Sequence, residues 1–255
     1  SGLLGMAFKR NYDRRNIHWA NELLLQYGVN KQKDQDFQKT DDNIELNSTF
    51  GYQKDTLSPW YYSIKFNFNT QISKGYSYPN TDEAISDFMA PAYLFLGIGS
   101  EYRSKNEEFQ MYASPLTMKY TFVLNQRLAN SGAFGVEPAL FDESGKMIKS
   151  GKNVRKQVGI LYTSEYSTEL YENIFINNKL SLYTDYLNRF GNVDVNWELN
   201  FIFKVNKYVV AKLGSHLKYD DDIKIKKENA AGELVKKGPA VQWKQQLGIG
   251  VIVNL

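Results

Sequence analysis

The feature that most constrains this chain is a two-residue alternation of apolar and polar side chains, sustained over segments of about ten residues or more. Successive side chains on a β-strand point to opposite faces, so each such segment reads as a strand with one apolar and one polar face. Ile17, Trp19, Leu23, Leu25, Tyr27 and Val29 share one parity, and His18, Glu22, Gln26 and Asn30 share the other. Trp60, Tyr62, Ile64, Phe66, Phe68 and Ile72 alternate with Ser63, Lys65, Asn67, Asn69 and Gln71. Val193, Val195, Trp197, Leu199, Phe201, Phe203 and Val205 alternate with Asp194, Asn196, Glu198, Asn200, Lys204 and Asn206. Near the end, Val241, Trp243, Leu247, Ile249, Val251, Val253 and Leu255 oppose Gln242, Lys244, Gln246 and Asn254.

Segment length separates two architectures that both alternate. Strands of a soluble sandwich average about five or six residues, whereas a tilted strand needs about 9–11 to cross a bilayer. The observed lengths predict an all-β fold, an antiparallel transmembrane β-barrel. Composition agrees, because 15% of residues are aromatic, with 18 Tyr and 15 Phe, while mean hydropathy is negative. No run approaches the roughly 18 apolar residues of a membrane-spanning helix. The absence of cysteine excludes a disulfide framework, a thiolate metal site and a lipidated cysteine. A net charge of +3, carried by scattered Lys and Arg, does not point to nucleic acid.

Eleven strands are expected near 2–10, 16–31, 42–53, 59–73, 92–103, 107–122, 154–170, 173–186, 192–205, 208–219 and 240–255. Short links at 11–15, 54–58, 104–106, 171–172 and 206–207 interleave with longer ones at 32–41, 74–91, 123–153, 187–191 and 220–239. Outer-membrane barrels show that asymmetry, with short periplasmic turns and long extracellular loops. On that orientation the first and last strands both descend, and eleven is odd. Bacterial single-chain barrels normally have an even count. The expectation is therefore one domain over 1–255, with one strand of about twelve, and the secretory signal, lying before Ser1.

Several stretches resemble DUF3078, an uncharacterised family of Bacteroidota outer-membrane proteins. They include KTDDNIELNSTFGY from Lys39 to Tyr52, WYYS from Trp60, GYSYPN from Gly75 to Asn80 and ISDFMAPAYLFLGIG from Ile85 to Gly99. SPLTMKYTFV from Ser114 to Val123 and GAFGVEP from Gly132 to Pro138 continue the series, followed by DYLNRFGNVDVNWE, KYDDDIKI and GPAVQWKQQLGIG. The resemblance implies location in the cell outer membrane and a multi-pass barrel, and carries no activity. It departs at the start, where such proteins have a further glycine-rich segment.

His18 and His216, the two histidines, fall on the polar parity, away from the lipid side where an outer-membrane phospholipase presents its triad. Lumen hydrogen bonding is expected of them rather than catalysis. The same parity carries Glu22, Glu45, Lys65, Glu165, Glu169, Lys179, Asp185, Asp194, Glu198, Lys204, Lys212, Lys218 and Lys244. Such mixed signs favour a lumen filled by paired charges over a selective pore. Asp220, Asp221 and Asp222, with Asp41 and Asp42, fall at the expected outer rim, where they read as a solvated rim or as a site for divalent cations. Phe134, Val136, Leu140 and Phe141 in the 123–153 loop are expected to fold against the barrel mouth or a partner. Phe88, Met89, Pro91 and Tyr93 make the 74–92 loop too apolar to wave freely. GAFG lacks the lysine and following helix of a phosphate loop.

These features point to a non-enzymatic barrel, a structural or accessory subunit of a larger outer-membrane assembly for secretion, uptake or barrel assembly. A narrow passive channel is the alternative, and a lipid-modifying enzyme a third. No catalytic residue, cofactor or metal is assigned. The expected partners are outer-membrane lipid, lipopolysaccharide, and other outer-membrane or periplasmic proteins met through loops and lipid-facing strands.

Overall fold

The computed structural model describes residues 1–31, 36–187, 190–220, 224–228 and 234–251. In chain order the strands are β1 (Gly2–Arg14), β2 (Ile17–Asn30), β3 (Gln38–Tyr52), β4 (Trp60–Thr70), β5 (Gly75–Ser77), β6 (Asn80–Ser86), β7 (Ala92–Arg103) and β8 (Phe109–Phe122). They continue with β9 (Leu140–Phe141), β10 (Met147–Lys149), β11 (Val154–Tyr171), β12 (Ile174–Asp185), β13 (Asp194–Lys204), β14 (Val209–Tyr219), β15 (Lys224–Glu228), β16 (Leu234–Pro239) and β17 (Gln242–Val251). A five-residue helix, α1 (Gln126–Asn130), and a 3-10 turn over Ala133–Gly135 lie between β8 and β9.

Eleven of these strands form one sheet in the order β1-β2-β3-β4-β7-β8-β11-β12-β13-β14-β17, and the remaining six make three two-stranded ribbons. Sheet neighbours follow one another along the chain, and the registers described between them are antiparallel. All eleven expected strands are present. β1 runs to Arg14, past the expected boundary at residue 10, because its polar residues Asn11 and Asp13 stay in register with Ala20 and His18. The first link is thereby reduced to Arg15 and Asn16, with Arg15 at positive φ. The last strand is described to Val251, and Leu255 lies outside the described residues. Three of the longer connections hold a ribbon: β5–β6, β9–β10 and β15–β16.

The chain packs as two compact units, one of residues 1–54, 63–98 and 117–158, the other of 55–62, 99–116 and 159–255. In the first unit the buried apolar cluster lies largely outside the sheet. Ala90, Val123, Leu128, Ala129 and Val136 form it, with Ala133 and Phe134 packed against it. Asn125 caps α1, its side chain accepting from Leu128 N. The segment before β7 is tied into the same cap, because Leu124 N donates to Met89 O at 3.0 Å and Asn125 Nδ2 to Asp87 Oδ2 at 3.1 Å.

In the second unit the ladder from β11 to β17 runs in continuous register from Glu165 to Lys244. Its strands approach closely where Gly159 opposes β12, since a Cβ there would collide with the backbone carbonyl of Thr184. Strand β8 carries one irregularity. Along β8, Tyr112 and Ser114 are buried, and then Thr117, Lys119 and Thr121. Alternation therefore slips by one residue at Pro115–Leu116, where proline withholds a ladder donor.

Candidate functional site

The sheet has two chemically opposite faces, and solvent reaches the apolar one. Trp60, Tyr62, Ile64, Trp243, Leu247 and Ile249 are all exposed, Ile249 to 81%. Buried positions on the other parity include His18, Ser63, Glu101, Lys119, Gln157 and Asp185, each no more than 6% exposed. A sheet packed in water does the reverse, burying its apolar face and solvating its polar one.

Aromatic rings mark the ends of the apolar face. In the first unit Tyr12, Trp19 and Phe50 are directly opposite one another across β1, β2 and β3, near the short links. In the second unit Trp60 meets Tyr102 edge-on at 5.2 Å between ring centroids, and Tyr102 meets Phe109 at 6.1 Å, at the same ends of β4, β7 and β8. Toward the long connections, Trp197, Leu217 and Trp243 form a second row.

Three of the four tryptophans hand their indole N–H to a side chain on the neighbouring strand. Trp19 Nε1 donates to Ser48 Oγ at 3.0 Å, Trp197 Nε1 to Asn178 Oδ1 at 2.7 Å and Trp243 Nε1 to Ser215 Oγ at 2.8 Å. These bonds satisfy each donor without water, which a low-dielectric surrounding requires.

Charges on the polar face are ordered into transverse rows. Glu165, Lys179, Glu198, His216 and Lys244 occupy successive register positions across β11, β12, β13, β14 and β17. Lys179 Nζ is 3.3 Å from Glu165 Oε1, which also accepts from Asn177 Nδ2 at 3.0 Å, while Gln110 Nε2 donates to Glu165 Oε2 at 3.0 Å. His216 Nε2 lies 2.5 Å from Asn196 Oδ1 and 3.9 Å from Glu198 Oε1. The first unit has its own row. Lys9 Nζ pairs with Glu22 Oε1 at 2.8 Å, Glu22 opposes Asn47, and Asn67 Nδ2 donates to Asn47 Oδ1 at 2.7 Å.

Of these rows, Glu22, Glu165, Lys179, Glu198 and Lys244 are among the charges expected on the polar parity, and Lys9 is not. His18 is buried on the same face, its Nδ1 paired with Asp13 Oδ1, and it belongs to the first unit whereas His216 belongs to the second. Two buried charged residues of this face are absent from the expected set: Glu101, which pairs with Arg103 at 2.7 Å, and Lys119, which lies over the Phe95 ring at 5.8 Å. The slip at Pro115–Leu116 hides Lys119 from a period-two reading.

Asp42 is a clamp rather than an open carboxylate. Its Oδ1 accepts from Ile72 N at 2.7 Å, and its Oδ2 from Lys39 Nζ at 2.7 Å, Ser73 N at 2.9 Å and Ser73 Oγ at 3.0 Å. Donors on both oxygens leave it tying β3 to the connection that follows β4. Asp221 and Asp222 lie outside the described residues.

The connection from 123 to 153 is ordered as expected, with a correction. Val136 is buried and Phe134 packs beside it, but Leu140 and Phe141 are about half exposed, as are Met147 and Ile148 on the facing strand. Register explains this, since Phe141 pairs with Met147 in a two-stranded ribbon that has no further layer of its own. Phe88 is likewise exposed, whereas its neighbour Ala90 is buried. Ion pairs from Lys149 and Lys152 hold Glu137 at the base of the ribbon, and Asp142 closes its tip by accepting from Ser144 Oγ and from the amides of Ser144 and Lys146. Both carboxyls sit below their usual range, Glu137 chiefly through the Lys152 hydrogen bond and Asp142 chiefly through the Ser144 hydroxyl.

By its fold the chain is an all-β protein built on an antiparallel sheet of eleven strands, with an exposed apolar face and a polar face crossed by charge rows. A family described as protein of unknown function (DUF3078) matches residues 1–76, which hold β1 to β4, and over that stretch the chain is similar to it. No curated protein and no solved structure matches it.

Proposed function

We propose that the chain is an integral outer-membrane β-barrel without enzymatic activity, and that it serves as a structural or accessory subunit of a larger outer-membrane assembly. The observation that carries this reading is the inverted polarity of the sheet. Large apolar side chains left in water forgo about 1.5–3 kcal/mol each, and dozens are exposed here. Against lipid they are satisfied. From Trp19 to Tyr27 the apolar face of β2 extends about 26 Å along the strand at roughly 3.3 Å per residue, comparable once tilted to the roughly 25 Å apolar band of such barrels. Aromatic rows at both ends of that face match the girdles that sit at membrane interfaces.

The subunit role is supported by the β9–β10 ribbon, a two-stranded element that presents Leu140, Phe141, Met147 and Ile148 outside the eleven-stranded sheet. Gentle extraction followed by native pull-down tests it. Co-purifying outer-membrane proteins that are lost on Phe141→Ser with Ile148→Asp are expected, and a clean monomer under the mildest detergents contradicts it. A narrow channel is the second reading, favoured by the polar face. Opposite charges in each row pair with one another and fill space, and steady single-channel conductance in planar bilayers is the outcome that selects the channel.

A further inference from the structure

We propose that Arg10 and Arg14, together with Asn21, form a site for the phosphate of an anionic phospholipid at the short-link end of the apolar face; this rests on the membrane reading above. Register puts both arginines on the apolar parity of β1, either side of Tyr12, whose partner across β2 is Trp19. They are the only charged side chains on that face of β1, β2 and the Ile44–Tyr52 part of β3, among Met6, Phe8, Leu23, Leu25 and Leu46. Among the described residues neither arginine makes an ion pair. A guanidinium cannot discharge, so beside hydrocarbon it must extend toward the interface and find an anion there. Both arginines can reach the level of the Tyr12–Trp19 row, where headgroups lie.

The neighbouring polar group is oriented to help. Trp19 Nε1 donates to Ser48 Oγ, and Ser48 Oγ donates to Asn21 Oδ1 at 2.8 Å. With its carbonyl oxygen engaged, Asn21 turns its amide Nδ2 toward β1, where it reaches the Arg10 carbonyl at only 3.5 Å. The surface bounded by Arg10, Arg14 and Asn21 therefore offers donors, and guanidinium and amide N–H groups suit a phosphate oxygen. The apolar side chains above it suit acyl chains, which selects a lipid over free phosphate.

The test uses the full chain folded in detergent, exposed to equimolar phosphatidylglycerol and phosphatidylcholine, with retained lipid counted by native mass spectrometry. At about fivefold per basic residue near an anionic surface, wild type is expected to prefer phosphatidylglycerol, and Arg10→Gln with Arg14→Gln to lose that preference. The Arg10→Lys with Arg14→Lys pair keeps part of it, and Lys105→Gln, in an exposed turn, keeps all of it. Equal retention of the two lipids by wild type, an unchanged preference in the glutamine variant, or displacement of the lipid by inorganic phosphate overturns the site. Flotation with phosphatidylcholine and with phosphatidylglycerol vesicles separates the two levels: insertion without headgroup preference sinks the site alone, and no insertion into either lipid sinks the membrane reading with it.

Discussion

Lys179 Nζ lies 3.3 Å from Glu165 Oε1, directly across β11 and β12, and on its other side Lys179 opposes Glu198 of β13. One ammonium thus sits between two carboxylates, in a row that continues to His216 and Lys244. Removing the middle member strands its neighbours, and leaving a partner unsatisfied costs more than the bond itself is worth. Lys179→Gln is expected to lower unfolding stability by about 1–3 kcal/mol, and Lys179→Met combined with Glu165→Leu by less than Lys179→Gln alone. Urea titration of the folded protein in detergent measures both.

Leu23 and Leu24 are adjacent in β2 but lie on opposite faces, and Leu24 faces Glu45 across the ladder. Arginine at Leu23 is expected to cost about 2–4 kcal/mol, the range for a cation on the lipid face near mid-bilayer. Arginine at Leu24 meets a carboxylate and is expected to cost much less. A sheet folded in water gives the opposite ranking, so the two unfolding midpoints discriminate.

Leu128 is 4% exposed inside the cap formed with Ala90, Val123, Ala129 and Val136. Leu128→Ala is expected to weaken that cap by about 2–4 kcal/mol through lost burial and the cavity left behind. Because the cluster is separate from the charge rows, the effect should stay local. Limited proteolysis checks it: faster cutting within 124–152, with β1–β4 as resistant as in wild type.

Glu137 and Asp142 both titrate below the ordinary carboxylate range, held there first by Lys152 and by the Ser144 hydroxyl. A depressed folded-state pKa stabilises the ribbon above the unfolded value, and that contribution disappears as pH falls through the folded one. Amide protection factors at Lys146 and Lys152, which correct for the intrinsic slowing of exchange in acid, should therefore be high at neutral pH and drop as pH falls through the folded-state values. Glu137→Gln should remove the Lys152 part of that dependence at the ribbon base and leave the Asp142 part at its tip.

Much of the sheet was legible because long alternation admits few alternatives. β7 falls on 92–103 as expected, and Glu165, Lys179, Glu198 and Lys244 sit on the parity assigned to them. The misses have physical causes. Asn11 and Asp13 looked like a turn because polar residues interrupt the apolar run, yet they complete β1 and bring Arg10, Tyr12 and Arg14 onto one face. Lys119 was hidden by the slip at Pro115–Leu116. The charge rows themselves depend on register between strands, which parity alone does not supply. Leu140 and Phe141 were expected to fold against the barrel mouth or a partner, and a two-stranded ribbon offers no layer within the chain to cover them.

The central claim is that the apolar face meets lipid, and the four tryptophans, Trp19, Trp60, Trp197 and Trp243, report on it together because all four lie on that face. Reconstituted protein should show blue-shifted emission, quenched strongly by phospholipids brominated high on the acyl chain, less by those brominated near the chain end, and weakly by aqueous iodide. Emission indifferent to brominated lipid and quenched freely by iodide would contradict the account.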